Sequence, residues 1–380
     1  MTATTFRTIA LIPLLLGAAS CGGGNAMTPP TPACVPTQPT EFAYVLSGDS
    51  IAMYSVDSCT GALTATTPAT VATGSTSGEP QPEGLAGDPL GRFAYVANII
   101  SNATDNATIS MYTVDPSTGV LAPTTPATVP TGFYPQGIAI SPNGQFVYTA
   151  NSDGNSVSMF AIDPNTGNLT PTTPASVAAG WSPDGVTVHP SGKFAYAVNQ
   201  DDGTVSMYTV NQTTGVLTPT TPATVLAGAS PFEITIDPSG RFAYVPDTYS
   251  APNNFISQYT IDSTTGVLTP NATSVVSAGN QPTAVAVDPS GKFAYVTNRQ
   301  DSAVSMFTID STGSLTPNGI VAAGGEPFQV TVDPSGKFVY VANEEGPLSI
   351  YTLQSDGTLQ AVNSNVPGPA WAVAVIKAKQ

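Results

Sequence analysis

Histidine is almost absent from this chain, and positive charge is scarce. One His, nine Lys and Arg, and 25 Asp and Glu stand in 380 residues, giving a formal net charge of −16. Neutralising phosphate takes clustered Lys and Arg, so nucleic acid is excluded as a partner. The body of the protein is equally unsuited to an anionic membrane surface. The lone His189 sits in a turn, His189-Pro190-Ser191-Gly192. A Ser-His triad and a His-rich zinc site are therefore not expected. No Gly-x-Ser-x-Gly, P-loop or Cys-x-x-Cys is present either. That leaves carboxylates, Arg299 or a bound metal for any catalysis. Helical periodicity is missing as well, so almost no helix is expected.

What is present is Gly (35), Pro (36) and 41% hydrophobic residues in short runs. Disorder goes with low hydrophobicity and high charge. Only 9% of residues are charged here, so a folded, turn-rich β protein is expected. Residues 1–20 read as a signal peptide. Arg7 supplies its basic start, and the apolar core Ile9 to Leu16 is too short to span a bilayer. Ala18-Ala19-Ser20-Cys21 fits a lipobox, with Cys21 as the lipidated residue. Residues 21–39 read as a Gly/Thr/Pro tether. Export would place Cys34 and Cys59 in an oxidising compartment, where a disulfide is the default.

From residue 40 to 380 one unit of about fifty residues recurs seven times. Its Phe-x-Tyr marker starts at Phe42, Phe93, Phe146, Phe194, Phe242, Phe293 and Phe338. Each unit carries four apolar runs, A to D. Run A follows a proline and ends in a turn such as Asp237-Pro238-Ser239-Gly240, where Asp caps, Pro presets φ and Gly takes the left-handed position. Run B holds Phe-x-Tyr, and run C alternates, as in Val205 to Val210. Run D is rich in Thr and Pro. Proline cannot donate to a ladder, so D is the outer edge. Four antiparallel strands in each of seven units predict an all-β, seven-bladed propeller in a single domain. The first unit lacks a run A, and Pro369 to Val375 supplies one without a unit of its own. The C-terminal strand is expected to complete blade one and close the ring.

This topology sorts the loops onto two faces. A–B and C–D turns share one face; B–C loops and D–A connections share the other. Arg92, Lys193, Arg241, Lys292 and Lys337 fall on the turn face. The loop face carries fourteen carboxylates, among them Glu83, Asp184, Glu233, Glu326 and Glu344, and one cation, Arg299. Such a face suits a cationic ligand or a divalent cation, although no EF-hand spacing is present and no cofactor is expected.

The motifs Asp-Pro-Ser-Gly-Lys-Phe-Ala-Tyr-Val-Thr-Asn-Arg (288 to 299), His189 to Phe194 and Val341-Ala342-Asn343-Glu344 resemble the lactonase family of seven-bladed propellers and YVTN-type surface repeats. The likeness covers roughly residues 40 to 377. It implies an active site with an Arg after the strand-B Asn, matched here by Asn298-Arg299. The family's other Arg aligns with Phe232 and its Glu with Thr248; its His has no counterpart, and Asp184 follows the comparable Pro183. One of four is retained. The chain is therefore expected to be a binding or scaffolding propeller on the cell envelope, monomeric, meeting a small molecule or an envelope protein at its acidic face. The alternative is a lactone hydrolase or lactonising enzyme using Arg299 with Glu233 or Asp184. Candidate binding residues are Glu83, Gln136, Asn298, Glu326, Asn343 and Glu344.

Overall fold

A computed structural model describes residues 40–74, 82, 84–99, 107–248, 254–362 and 366–379. Cys21, Cys34 and Glu83 lie outside them. The described residues hold strands and turns and no helix. They form seven four-stranded antiparallel sheets, one per sequence unit, each ordered A-B-C-D. Blade four is typical: Pro183–Val188, Phe194–Asn199, Thr204–Val210 and Leu217–Leu226. Strand Ala372–Lys377 pairs with Glu41–Ser47 and supplies the inner strand of blade one, as the unpaired C-terminal run predicts.

The Phe-x-Tyr marker now has a physical meaning. Phe and Tyr lie two residues apart on a strand, so both side chains point to the same neighbouring blade. Each meets the C–D turn glycine of the next unit. The Tyr196 hydroxyl donates to Gly266 O at 2.8 Å, and Phe194 lies under that glycine, where an added Cβ would come within 2.3 Å of the ring. The same bond runs from Tyr44 to Gly119, Tyr95 to Gly167, Tyr148 to Gly215, Tyr244 to Gly313 and Tyr295 to Gly357. Tyr340 to Gly61, at 2.9 Å, closes the ring. These glycines adopt positive φ, as Gly266 does at 74°, so they serve both turn and packing. Strand-C methionines add a second joint: Leu121, Leu169, Leu217, Leu268 and Leu359 N–H groups donate to Met53, Met111, Met159, Met207 and Met306 sulfur.

His189 is turn grammar, as its position suggests. Its Nδ1 accepts from Ser191 N–H at 3.0 Å, as Asp does in other blades, and its Nε2 meets Gly240 O at 2.7 Å.

Candidate functional site at the loop-face mouth of the channel

The inner strands do not run straight into the channel mouth. In blades three, four, six and seven the A–B register shifts just after the strand-A proline, between Pro135/Ile138, Pro183/Val186, Pro282/Val285 and Pro327/Gln329. A bulge of this kind re-aims the side chains it carries. In blade five Pro246 stands on strand B and has no N–H to donate. Ladder pairing there shrinks to Thr235–Ile236, with one isolated bridge at Pro231.

The residue after the proline lines the mouth in four blades: Gln136 and Asp184 in blades three and four, Phe232 in blade five and Phe328 in blade seven; blade one contributes Trp371, two residues after Pro369. With Glu233, Gln329 and the backbone of Gly84, Gly137 and Gly185 they line a cavity of about 100 Å³. Glycine is needed in blades two to four because the next inner strand passes so close. A Cβ on Gly137 would come within 2.4 Å of Asp184 O, and one on Gly84 within 2.3 Å of Gln136 O. In blade six Thr283 is buried at the corresponding position. Its hydroxyl is 2.9 Å from that of Thr297 and donates to Phe328 O at 2.7 Å.

The mouth is divided. Phe232 and Phe328 meet edge to face with ring centroids 5.3 Å apart, and Phe328 and Trp371 do so at 6.0 Å. Across from them stand Gln136 and Asp184. Glu233 sits at the neck, lining both this cavity and the wider channel of about 370 Å³ below it. Its carboxyl forms no ion pair and no hydrogen bond with the described residues. It is half-buried there, and desolvation pushes its pKa up to about 8. The Gln136 carbonyl Oε1 is inaccessible and unpartnered.

Arg299 corrects the expected constellation. It does not line the cavity with Glu233 and Asp184. Its guanidinium sits 5.9 Å from the Phe328 ring centroid and is held by two carboxylates, Glu326 at 2.9 Å and Glu344 at 2.5 Å. The nearby Asp301 instead accepts from Asn280, backbone N–H and side chain, at 2.7 Å each. Burial raises the pKa of Glu344 despite Arg299, and its Oε1 has no partner. Glu326 and Glu344 are thus anchors for Arg299.

Asn298 and Asn343 are corrected too. Both are fully buried. Asn298 accepts from Gly279 N–H and donates to Ser305 Oγ, and Asn343 donates to Pro347 O and Ser349 Oγ. Asn199 makes the same bonds to Gly180 and Ser206, so this Asn ends strand B as part of the repeat. Thr248 donates to Pro282 O at 3.0 Å, away from the cavity lining. Among the described residues no group of three or more His, Cys, Asp or Glu is placed to hold a metal ion. The aromatic half of the mouth carries a partial sequence signal: aligning the units on the strand-A proline exposes Phe232 and Phe328, which directly follow it.

An all-β ring of seven four-stranded blades defines a seven-bladed propeller, here with a cavity at the mouth of its channel. The chain belongs to the Lactonase, 7-bladed beta-propeller family, which it matches over residues 34–230, 176–278 and 272–375. Solved structures share the fold. A Bacteroides uniformis protein provisionally assigned as a 6-phosphogluconolactonase is 20% identical with a TM-score of 0.73, covering 89% of this chain and 100% of its own. The periplasmic gluconolactonase of Pseudomonas aeruginosa is 21% identical with a TM-score of 0.69, covering 89% and 99%. No curated protein matches the sequence.

Proposed function

We propose that this chain is an exported binding propeller that takes a small uncharged or cationic molecule into the loop-face mouth of its channel. The carrying observation is the lining of the cavity: Phe232, Phe328 and Trp371 face Gln136, Asp184 and Glu233, with no Lys or Arg among the lining residues. A phosphorylated sugar lactone needs charge-assisted donors for its phosphate. Arg299 is already engaged by Glu326 and Glu344. The leader sequence and the periplasmic relative support export. Lipidation at Cys21 and a Cys34–Cys59 bridge belong to the same reading, since export would set these cysteines in an oxidising compartment.

A second reading, hydrolysis of an uncharged lactone, is favoured by the family and by Glu233. A carboxyl group with a pKa near the working pH suits a general base. Glu233 would take a proton from water as its oxygen adds to the lactone carbonyl. The ring C–O bond would then break, and the proton would pass to the departing alkoxide. The two readings separate in one assay. Purified protein is offered gluconolactone and its 6-phosphate, alongside Glu233→Gln and Arg299→Ala variants. No turnover of either lactone is the expected result. Turnover of gluconolactone that is lost in Glu233→Gln and kept in Arg299→Ala would establish the second reading. Turnover of the phosphorylated lactone that depends on Arg299 would overturn both.

A further inference from the structure

We propose that the molecule held at the channel mouth is a small organic ammonium ion, seated between the aromatic half of the ring and the carboxyl group of Glu233. This rests on the small-ligand reading above and narrows it.

Three independent features converge on this chemistry. The first is the shape of the apolar wall. Phe232, Phe328 and Trp371 meet at 76° and 77°, so successive ring faces point in different directions and form a corner. A flat ring would stack on parallel faces, whereas a compact cation is attracted to several aromatic faces at once. The second is unmet hydrogen-bond capacity. Gln136 and Glu233 both line the cavity; Gln136 Oε1 is buried without a partner, and the half-buried Glu233 carboxyl forms no hydrogen bond with the described residues. Buried acceptors are normally partnered, so Gln136 Oε1 beside the Glu233 carboxyl marks where a ligand's N–H groups would sit. The third is charge. Among the described residues Asp184 and Glu233 are the charged lining residues, and the Arg299 guanidinium beyond Phe328 is outnumbered by its own two carboxylates. A cavity of about 100 Å³ restricts the ligand to a few heavy atoms.

Glu233 also explains how such a cavity stays stable when empty. With no partner, burial holds its carboxyl in the neutral form up to about pH 8. An arriving ammonium replaces that proton: Glu233–COOH and R–NH3+ become the ion pair and a free proton. The groups that face Glu233 across the cavity are Asp184 and Gln136 from blades four and three and Gln329 from blade seven. Among the described residues, blades one, two and six present no titratable side chain to the cavity.

The test compares propylammonium with 1-propanol, which matches it in size and lacks the charge. Binding to the purified chain is followed by calorimetry and by Trp371 fluorescence. The sequence has two Trp, so a Trp181→Phe background isolates Trp371. Propylammonium is expected to bind about tenfold more tightly at pH 9 than at pH 7, because a group of pKa about 8 goes from mostly protonated to mostly ionised. At pH 7, close to one proton should be released, read from buffers of different ionisation enthalpy. Glu233→Gln should abolish proton release and weaken binding at pH 9 at least tenfold. It removes a desolvated acid without changing volume, so its melting curve should be unchanged or raised. If 1-propanol binds as well as propylammonium, or Glu233→Gln leaves propylammonium binding intact, the ammonium assignment fails and the small-ligand reading survives. If neither compound changes Trp371 emission or produces heat, while the protein melts cooperatively, both fail.

Discussion

The two faces of this ring are built by opposite rules. On the turn face each unit repeats the same contacts. Asp237, Asp288 and Asp333 accept the backbone N–H groups of residues four and five further on, and Tyr hydroxyls and Phe rings meet the next unit's glycine. Among the described residues, glycine takes every left-handed backbone position on that face. On the loop face six other residues adopt positive φ: Tyr134, Asn155, Ser182, Gln281, Ser302 and Glu326. Four of these directly precede the strand-A proline, where the helical regions are disfavoured. Strain of this kind persists only where surrounding structure enforces it, and it clusters at binding sites. Here the enforcing bonds are Ser152, Gln200 and Arg299 N–H to the carbonyls of Tyr134, Ser182 and Gln281. The comparison teaches that the repeat secures the fold from one face and leaves the other free to vary.

Three changes and one rim control test that division, the changes taken from the largest effect to the smallest. Removing residues 368–380 takes away the inner strand of blade one and opens the ring. Loss of a single cooperative transition in calorimetry is expected, and an unchanged melting curve would show that closure is not required. Next, Phe194→Ala on the turn side should cost about 3–5 kcal/mol in urea denaturation, the range for a buried Phe. Trp181→Ala on the loop rim, 67% exposed, should stay within about 0.5 kcal/mol. Equal losses would erase the distinction. Tyr196→Phe removes one buried hydroxyl and leaves Gly266 O without that donor, for about 1 kcal/mol by the same measurement.

The smallest effect is pH-dependent and lies at the ring closure on the turn face. Burial, then a hydrogen bond with Asp333, raise the Glu41 carboxyl to about 7. A raised acid stabilises the fold fully below its unfolded pKa and loses that contribution as pH climbs through the folded value. Stability from this group should therefore fall between about pH 4.5 and 7. Glu41→Gln should leave the melting temperature nearly unchanged at pH 5 and raise it at pH 8. A constant difference at both pH values would remove the proposed linkage.

Much of the fold was legible because its determinants are local and repeated. Phe-x-Tyr, the Asp-Pro-Ser-Gly turn and the unpaired C-terminal run each name a strand or turn directly. The site was legible only in part. Gln136, Asp184 and Glu233 follow strand-A prolines and do face the cavity. Asn298 and Asn343 stood out by position beside Arg299 and Glu344, yet they serve the repeat. The partners of Arg299 come from blade seven, 27 and 45 residues away, and no local pattern records that pairing. The aromatic corner is not legible locally because its members come from blades five, seven and one and meet only in the folded ring.

The most direct test of the account is the titration of Glu233 in the empty protein, followed by carboxyl carbon NMR with Glu233→Gln as the assignment control. A desolvated, partnerless carboxyl group at the channel neck should titrate near pH 8. A midpoint close to 4.5, the value of a solvated glutamate, would mean that the mouth is open to water and that no such pocket exists.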